Sequence, residues 1–271
     1  MRAERLIKEF VYSIEETKRE VHFHNDYQII FVMSGAIEVA FDNGTFVADQ
    51  GSLVFISNLE NHSFSVLTKP CEKYFITLGV HALDEAIMDS QLLAVFKNRP
   101  GTFCNVFKIE PIVEEVTKLF QLMYAEVSRT QNEYSERYIQ HIMNLIMMSV
   151  YRNNSQQFPI LRKSSKLQIY DVQKHLDQHF NESLSLQDIC RDFHISPSYL
   201  SRCFKEVTGY SPKQYIMLHR MSYAHNLILT TDHSILEIAH KSGFGDINNF
   251  IRHFRSQYKM TPTHARKHRT S

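Results

Sequence analysis

Apolar positions in the last hundred residues recur at helical spacing, and the same arrangement occurs twice. Each copy has a helical stretch, a turn and a second helical stretch, at 186–190, 193–197 and 199–205 and again at 235–239, 243–246 and 249–255. The first stretches are 49 positions apart and the second stretches are 50 positions apart, so one residue has been gained at the turn. A single pattern of this kind occurs in many helical hairpins, whereas two matched copies indicate a repeated helix-turn-helix.

Residue types near each turn agree with this prediction. The small residue in each first helix, Cys190 or Ala239, allows a second helix to cross closely. Ser196 and Asp246 can each cap the second helix, because their side chains accept hydrogen bonds from its unpaired backbone N–H groups.

The outer face of each second helix carries the candidate DNA-binding residues. Arginine can recognise guanine and asparagine can recognise adenine through paired hydrogen bonds in the major groove. The predicted DNA-binding residues are Ser198, Ser201, Arg202 and Lys205 in the first copy, and Asn248, Asn249, Arg252 and Arg255 in the second.

A long helix is expected between the two copies. Ser211-Pro212 is a good helix start, and residues 213–229 contain no glycine or proline. Such a helix spans roughly 25 to 30 Å at about 1.5 Å per residue. Successive major-groove faces lie about 34 Å apart, so the helix could present both copies to one side of a duplex. Its apolar stripe could equally serve the core, and both uses are compatible.

The first hundred residues instead show short apolar runs separated by turns. Runs at 28–33, 36–41, 45–47 and 53–56 flank the turn signals at 42–44 and 49–51, which favours a β-barrel or jelly roll. Residues 111–127 and 134–151 have helical periodicity and form a predicted hairpin. The fold class is therefore α+β multidomain, with an N-terminal barrel and helical hairpin and a C-terminal all-α domain.

These patterns divide the chain into four segments. We predict a barrel at 1–106, the helical hairpin at 107–152, a polar linker at 153–166 and the helical domain at 167–271. Residual apolar surface on the hairpin could pair with a second subunit, or the hairpin could pack on its own domain alone.

Charge and composition agree with this division. Residues 167–271 carry 13 basic and 9 acidic side chains, whereas residues 1–152 carry 14 and 20, so the basic charge suited to phosphate binding is at the C-terminal end. No run of about 20 apolar residues predicts a membrane span, and no signal peptide is recognisable, so we expect a cytoplasmic protein. Four cysteines without metal-ligand spacing are expected to be reduced, buried thiols.

Residues 167–269 resemble the AraC/XylS family of bacterial transcription regulators. The segments that carry the resemblance are 198–205, 207–212, 238–239 through 243–244, and 249–255. The resemblance implies a seven-helix DNA-binding domain with recognition helices that begin near Pro197 and Ile247. The family often has longer basic or aromatic residues where this chain has Ser198 and Ser201, so we expect the first helix to make fewer base contacts.

The N-terminal segment resembles the cupin fold that often precedes this DNA-binding domain. The resemblance implies effector sensing, most often of a sugar or another small metabolite, and its candidate ligand-binding residues are His22, His24, Gln28 and His62. Metal-binding cupins have a glutamate where this chain has Gln28. Loss of that carboxylate weakens the case for a metal, so we predict no metal and no cofactor.

We therefore predict a ligand-responsive transcription regulator without enzymatic activity. Its expected partners are double-stranded DNA, a small-molecule effector and a second copy of the chain, with RNA polymerase as a further candidate and no membrane. One alternative is a cupin enzyme that uses His22, His24 and His62 around iron or manganese, with an accessory helical domain. Another is an architectural DNA-binding protein that responds to no ligand, which would leave the barrel without a purpose.

Overall fold

The computed structural model describes residues 6–14, 19–80, 82–99, 103–129, 132, 134–159 and 165–267. The chain divides into two compact units, residues 1–162 and residues 163–271. Part of the predicted linker, residues 160–164, lies outside the described residues.

The N-terminal unit is built around an antiparallel sheet. Its strands in the described residues are β1 (Ile7–Ser13), β2 (Arg19–His22), β3 (Tyr27–Phe41), β4 (Gly44–Asp49), β5 (Ser52–Ile56), β6 (His62–Leu78) and β7 (Val106–Lys108). The strand order is β1-β6-β3-β5-β7, while β2 also pairs with β6 and β4 also pairs with β3. The long strands β3 and β6 pair from Tyr27–Leu78 to Phe41–His62, and so form the centre of the sheet.

Both faces of this sheet are buried. Successive residues of a strand point to opposite faces, and on each face they pack into a different apolar cluster. Ile29 and Phe31 of β3 join the cluster that includes the helices of this unit. Ile30 and Val32 join a second cluster on the opposite face, together with Phe64 of β6. The period of two places Gln28 on the face of Ile30, and His62 on the face of Phe64. Gln28 and His62 therefore share the face of the sheet opposite the helices, which we call the inner face.

The predicted strand runs and turns are present, with one difference. The runs at 28–33 and 36–41 belong to one continuous strand, β3, whose pairing with β6 shifts register around Ser34 and Ala36. Gly35 lies in this bulge with φ +74°, and an added Cβ would come within 2.5 Å of the Pro70 carbonyl oxygen. Glycine therefore lets the strand bend without ending.

Helices cover one face of the sheet. They are α1 (Leu83–Ala86), α2 (Ser90–Lys97), α3 (Val113–Val127) and α4 (Ser135–Asn154). The predicted hairpin corresponds to α3 and α4, which pack through Phe120, Met123, Met143 and Met147. Sequence patterning did not identify α1 and α2, and β7 crosses the predicted boundary at residue 106.

The described residues of the C-terminal unit form helices joined by loops, with no strand among them. Its helices are α5 (Ser165–His179), α6 (Leu186–Asp192), α7 (Pro197–Thr208), α8 (Pro212–Thr230), α9 (Ile235–Lys241), α10 (Ile247–Tyr258) and α11 (Pro262–Lys267). The fold class predicted from the sequence, α+β with a C-terminal all-α domain, is confirmed.

The four thiols are free, as expected, but not all are buried. Cys71 and Cys190 are buried, whereas Cys203 is half-buried and Cys104 is exposed. The prediction of buried thiols was therefore wrong for Cys104, which lies in the loop before β7 rather than in a strand.

Candidate functional site

The two helix-turn-helix copies have matching lengths in the structure. Helices α6 and α9 each have 7 residues, and α7 and α10 each have 12. The recognition helices begin at Pro197 and Ile247, where the resemblance placed them. Ile195 N–H donates to the Cys190 carbonyl in one turn, and Phe244 N–H donates to the Ala239 carbonyl in the other. This equivalence identifies Gly245 as the residue gained in the second turn.

Both recognition helices have the predicted caps. The Ser196 side chain accepts a hydrogen bond from Tyr199 N–H, whereas the Asp246 carboxylate accepts bonds from Asn248 and Asn249 N–H. A carboxylate at a helix N-terminus also interacts favourably with the helix dipole. The start of α10 is thus held by two bonds and a charge, and the start of α7 by one bond.

Each turn contains one residue with left-handed backbone conformation. It is His194 in the first turn, with φ +52°, and Gly243 in the second, with φ +81°. A Cβ at Gly243 would lie 2.7 Å from the Asn181 carbonyl oxygen, in the loop between α5 and α6. Glycine at this position therefore allows the second turn to pack directly on the backbone of the loop before α6.

The predicted DNA-binding residues lie on the polar faces of α7 and α10. Seven of them are exposed and Asn249 is half-buried; the exposed residues are Ser198, Ser201, Arg202, Lys205, Asn248, Arg252 and Arg255. Their opposite faces are in the core, through Leu200 and Phe204 in α7 and Phe250 and Phe254 in α10. The structure thus leaves both arginine-bearing surfaces accessible.

One of these side chains is held by its neighbour. Arg252 donates from Nη2 to Asn249 Oδ1 at 2.8 Å, one helical turn away. The bond directs the guanidinium along the exposed face and leaves other donors of both groups available. The position that corresponds to Asn249, three residues before Arg202, holds Tyr199, which has no amide oxygen to hold the arginine in this way. The two exposed surfaces therefore differ in chemistry.

The connecting helix α8 contacts both halves of the helical unit through Arg220. Its guanidinium donates from Nε to the Phe180 carbonyl and from Nη2 to the Glu182 carbonyl, both at 2.7 Å. The same group lies 5.8 Å from the centroid of the Phe244 ring, in the second turn. Burial lowers the pKa of Arg220. Sequence reasoning missed this residue, because nothing in its local pattern separates it from a surface arginine.

A buried polar network fixes α8 against α5. The Tyr215 hydroxyl donates to Asp177 Oδ1 at 2.7 Å, and His219 Nε2 lies 3.0 Å from the same oxygen. Gln173 donates to the Tyr215 hydroxyl at 3.0 Å. Because buried polar groups need partners in specific directions, the network fixes the register of the two helices.

In the N-terminal unit, the predicted histidines form a compact cluster. One candidate ligand atom from each of His22, His24 and His62 lies within 4.8 Å of those from the other two. His22 and His62 are paired across β2 and β6, and their ring centroids are 4.3 Å apart. The His24 and His62 centroids are 4.9 Å apart. Residues 40 positions apart in the sequence thus meet through strand pairing.

Backbone contacts set the orientation of two of these rings. His24 Nδ1 lies 2.8 Å from the Asp26 carbonyl oxygen, and His62 Nδ1 lies 2.9 Å from that of Glu60. The Leu59 N–H donates to the His24 carbonyl at 2.7 Å, which joins the loop before β6 to the segment after β2. Both rings are therefore held from the side opposite Nε2.

A half-buried ion pair supports the loop before β6. The Glu60 carboxylate pairs with the Arg99 guanidinium and accepts a bond from Asn105 Nδ2 at 3.0 Å. Arg99 Nη2 and Asn105 Nδ2 also donate to the Phe55 carbonyl, so the network reaches β5. Burial lowers the pKa of Arg99, and the adjacent Glu60 opposes this shift. Sequence reasoning missed these three residues, which are far apart in the chain.

Gln28 completes the group of predicted ligand-binding residues. It is 4% exposed, and its Oε1 has no hydrogen-bond partner among the described residues. His24 Nε2 is also buried without a hydrogen-bond partner of ordinary geometry among the described residues. Burial lowers the pKa of His24; the Asp26 carboxylate and the Gln28 amide act in the opposite direction. The His24 imidazole and the Gln28 amide thus lie close together in the interior of the unit.

A separate open cleft of about 1330 Å³ lies beside the middle of β3, at Gly35 and Ala36. Its walls include Gly35, Asp49, Thr68 and residues 110–115. It contains none of the predicted ligand-binding residues, so it is a second concave surface rather than part of the histidine cluster.

The hairpin helix α4 has two apolar faces. Ile139, Met143, Ile146 and Val150 are buried in the core of the unit. Tyr138, Leu145 and Met148 are exposed, at 44%, 47% and 44%, on a different face. Their spacing of seven and three residues gives a stripe of the kind that pairs helices. Leu122 of α3 is also 49% exposed.

None of the helices in the described part of the chain combines the length and the apolar character needed to span a bilayer.

Comparison with known proteins assigns both units. The model of the AraC-like ligand binding domain matches residues 11–146, and a helix-turn-helix domain model matches residues 189–268. The HTH-type transcriptional activators RhaS of Salmonella schwarzengrund and of an Enterobacter species are 24% and 23% identical to this chain. Each alignment spans 250 residues, which is 92% of this chain and 87% of the relative.

Solved structures of ToxT from Vibrio cholerae share the fold. One has a TM-score of 0.59 at 14% identity and covers 96% of this chain and 98% of its own. Another, with unsaturated fatty acid bound, has a TM-score of 0.58 at 15% identity and covers 98% and 97%. With both family models matched in the order that the sequence predicted, the chain belongs to the AraC family of transcription regulators, and has an N-terminal ligand-binding domain and a C-terminal helix-turn-helix domain.

Proposed function

We propose that the two recognition helices read neighbouring major-groove segments of one duplex, and that an effector in the N-terminal unit controls this binding. The observation that carries the proposal is the matched exposure of Arg202 and Arg252 on two repeats built around one connecting helix. Helix α8 has 19 residues and so spans about 28 Å, close to the roughly 34 Å between successive major-groove faces.

Base recognition is assigned to the eight polar residues on α7 and α10. Arg252 and Asn249 are the main base-reading pair, because their mutual bond orders both side chains before DNA is bound. Ser198 and Ser201 offer shorter side chains, so α7 contributes more through Arg202 and through phosphate contact by Lys205. Arg255 lies one turn beyond Arg252 and is placed to neutralise phosphate.

The effector site is assigned to His22, His24, Gln28 and His62. Buried polar atoms that converge on the inner face of a sheet otherwise packed with apolar side chains are typical of a small-molecule site. The resemblance points to a sugar or another small metabolite. The fatty acid in one ToxT structure supports a ligand-binding role for this fold without defining the ligand of this chain.

We assign dimerisation to the exposed stripe of α4. Tyr138, Leu145 and Met148 would meet the same residues of a second copy, since a two-fold interface uses one surface twice. The regulator would act in the bacterial cytoplasm, and RNA polymerase would be its partner at a promoter. No catalytic step is assigned to the chain.

Selection from randomised duplexes tests the DNA assignment. The full chain is expected to enrich a site with two groups of preferred bases about 10 base pairs apart. Affinity for the selected duplex should fall steeply with salt, as phosphate neutralisation requires. Recovery of one short group of bases, or of none, would contradict recognition by both helices.

A library of sugars and small organic acids tests control by an effector. A bound effector raises the melting temperature of the N-terminal unit and changes affinity for the selected duplex, because only a ligand that prefers one arrangement can shift the balance between two. Binding compounds that all leave DNA affinity unchanged would contradict the control mechanism.

A further inference from the structure

We infer that the histidine cluster of the N-terminal unit is a binding site for a divalent transition-metal ion of the zinc class, ligated by Nε2 of His22, His24 and His62. Neutral imidazole is a preferred ligand for such ions. The inference deepens the proposed effector site and rests on it, because the metal would occupy the same group of residues. It differs from the sequence prediction of no metal, which relied on the missing carboxylate.

Tautomers of two rings are defined by their neighbours. The carbonyl oxygens of Asp26 and Glu60 can only accept hydrogen bonds, so Nδ1 of His24 and of His62 carries the proton. In the neutral ring, Nε2 then holds the lone pair. A backbone carbonyl behind the ligating ring is a common arrangement around protein-bound metals, because it fixes the tautomer and the ring direction.

The distances suit a bound ion. Metal–nitrogen bonds of about 2.0 to 2.1 Å place two ligand nitrogens of a tetrahedral site about 3.4 Å apart. The candidate ligand atoms lie within 4.8 Å of one another, so two rings at that limit would each move by about 0.7 Å to close the site. His22 is half-buried and can make this movement more easily than His62, which is 1% exposed.

Rigidity of the surroundings favours binding. The ion pair of Glu60 with Arg99 supports the loop before His62, and the bond from Leu59 N–H to the His24 carbonyl joins that loop to His24. Both ligands are therefore held in place before the ion binds. A preorganised site spends less binding energy on ordering its ligands.

Gln28 gives the site a neutral fourth group. Its buried Oε1, without a partner among the described residues, can contact the ion or a group bound to it. Three neutral imidazoles and one amide leave the full positive charge of the ion uncompensated by the protein. An effector with a carboxylate or paired hydroxyl oxygens would therefore be drawn to the remaining coordination position.

Zinc titration of the full-length chain tests the inference directly. Protein stripped with a chelator and returned to buffer is titrated with Zn²⁺ against a chromophoric competitor, and Co²⁺ is used to report coordination by visible absorption. We expect one tightly bound ion per chain. His62→Gln should weaken zinc binding by at least about 100-fold, since even outer partners of a metal site contribute about 10- to 100-fold.

A second variant separates ligation from folding. Gln28→Glu places a carboxylate beside the three imidazoles and is expected to tighten zinc binding by at least about tenfold. Its melting temperature should be lower than that of the wild type without metal and recover when Zn²⁺ is added. A variant that merely misfolds shows neither the gain in affinity nor this recovery.

His175→Gln combined with His179→Gln is the matched control. These two rings lie one helical turn apart in α5, with centroids 4.5 Å apart, and so form a neighbouring histidine pair outside the cluster that could bind zinc adventitiously. The double variant should retain the tight ion. Equal zinc affinity in the wild type and His62→Gln, or no gain in Gln28→Glu, would overturn the inference.

The zinc titrations are done without DNA, so their outcome is independent of whether the chain binds DNA as proposed. A chain that binds its selected duplex but binds no zinc contradicts the metal site alone. A chain that binds one zinc ion in the histidine cluster but selects no DNA sequence contradicts the proposed regulator and leaves the metal site supported.

Discussion

The second helix-turn-helix depends on Gly243, and we predict that Gly243→Ala destabilises it strongly. Alanine at φ +81° would adopt a left-handed conformation, which costs about 1 to 2 kcal/mol. Its Cβ would also lie 2.7 Å from the Asn181 oxygen and 2.9 Å from the carbonyl carbon. Both atoms belong to the backbone and cannot rotate away.

Together, the two costs lower the stability of the second helix-turn-helix substantially. Overpacking of a close contact typically costs about 1 to 3 kcal/mol, so the sum is about 2 to 5 kcal/mol. A typical domain has about 5 to 15 kcal/mol of stability in total. The variant should therefore open α9 and α10 far more often than the wild type, and its DNA affinity should fall because α10 is misplaced.

Hydrogen exchange followed by mass spectrometry measures this opening within the full chain. A chain with two units does not unfold in a single two-state step, so a melting curve alone would not localise the effect. Peptides that contain the Phe244 amide, which bonds to the Ala239 carbonyl, should exchange at least about 30-fold faster in the variant. Exchange in the N-terminal unit should not change.

His194→Gly is the matched control, since His194 is the equivalent residue of the first turn and is exposed. Removing its left-handed strain should leave the first repeat unchanged or stabilise it by up to about 1 kcal/mol. If Gly243→Ala exchanged within threefold of the wild type, or if both variants were equally destabilised, the argument from backbone conformation and close contact would be refuted.

Two further predictions concern the same unit. Asp246→Ala removes both cap bonds of α10 and should cost about 0.5 to 2 kcal/mol of local stability by hydrogen exchange, whereas Asp246→Asn should retain most of it; equal losses would argue against a capping role. Burial against the stacked Tyr258 ring lowers the pKa of His225, so its stabilising effect is complete above the ordinary pKa near 6.5 and is lost as pH falls below that value. His225→Phe should therefore lose less stability than the wild type between pH 7 and pH 5, and parallel stability profiles would contradict this assignment.

The helical repeat could be predicted from the sequence because its determinants are local. Helix starts at Pro197 and Ile247 depend on neighbouring caps and on apolar spacing within one helix. Gly245 could be identified as the extra residue only from the hydrogen bonds of the two turns, because the sequence alone allows the gap anywhere in the turn.

The N-terminal unit was less accessible to sequence reasoning. Individual strand runs were recognised, but the pairing of β3 with β6 joins positions far apart, and local patterns do not specify it. Helix α1 has only four residues, too few to show a helical period. The histidines were selected through the family resemblance, whereas their tautomers and the support from Arg99 and Glu60 could be read only from the folded chain.

Paired binding-site selections with Arg202→Ala and Arg252→Ala test the central claim most directly. Each variant should lose discrimination by about 1 to 3 kcal/mol at a different group of bases, and the two groups should lie about 10 base pairs apart, with general DNA affinity less affected. If both variants lost preference at the same bases, or if either selected the wild-type site with unchanged discrimination, the assignment of one recognition helix to each of two neighbouring grooves would be contradicted.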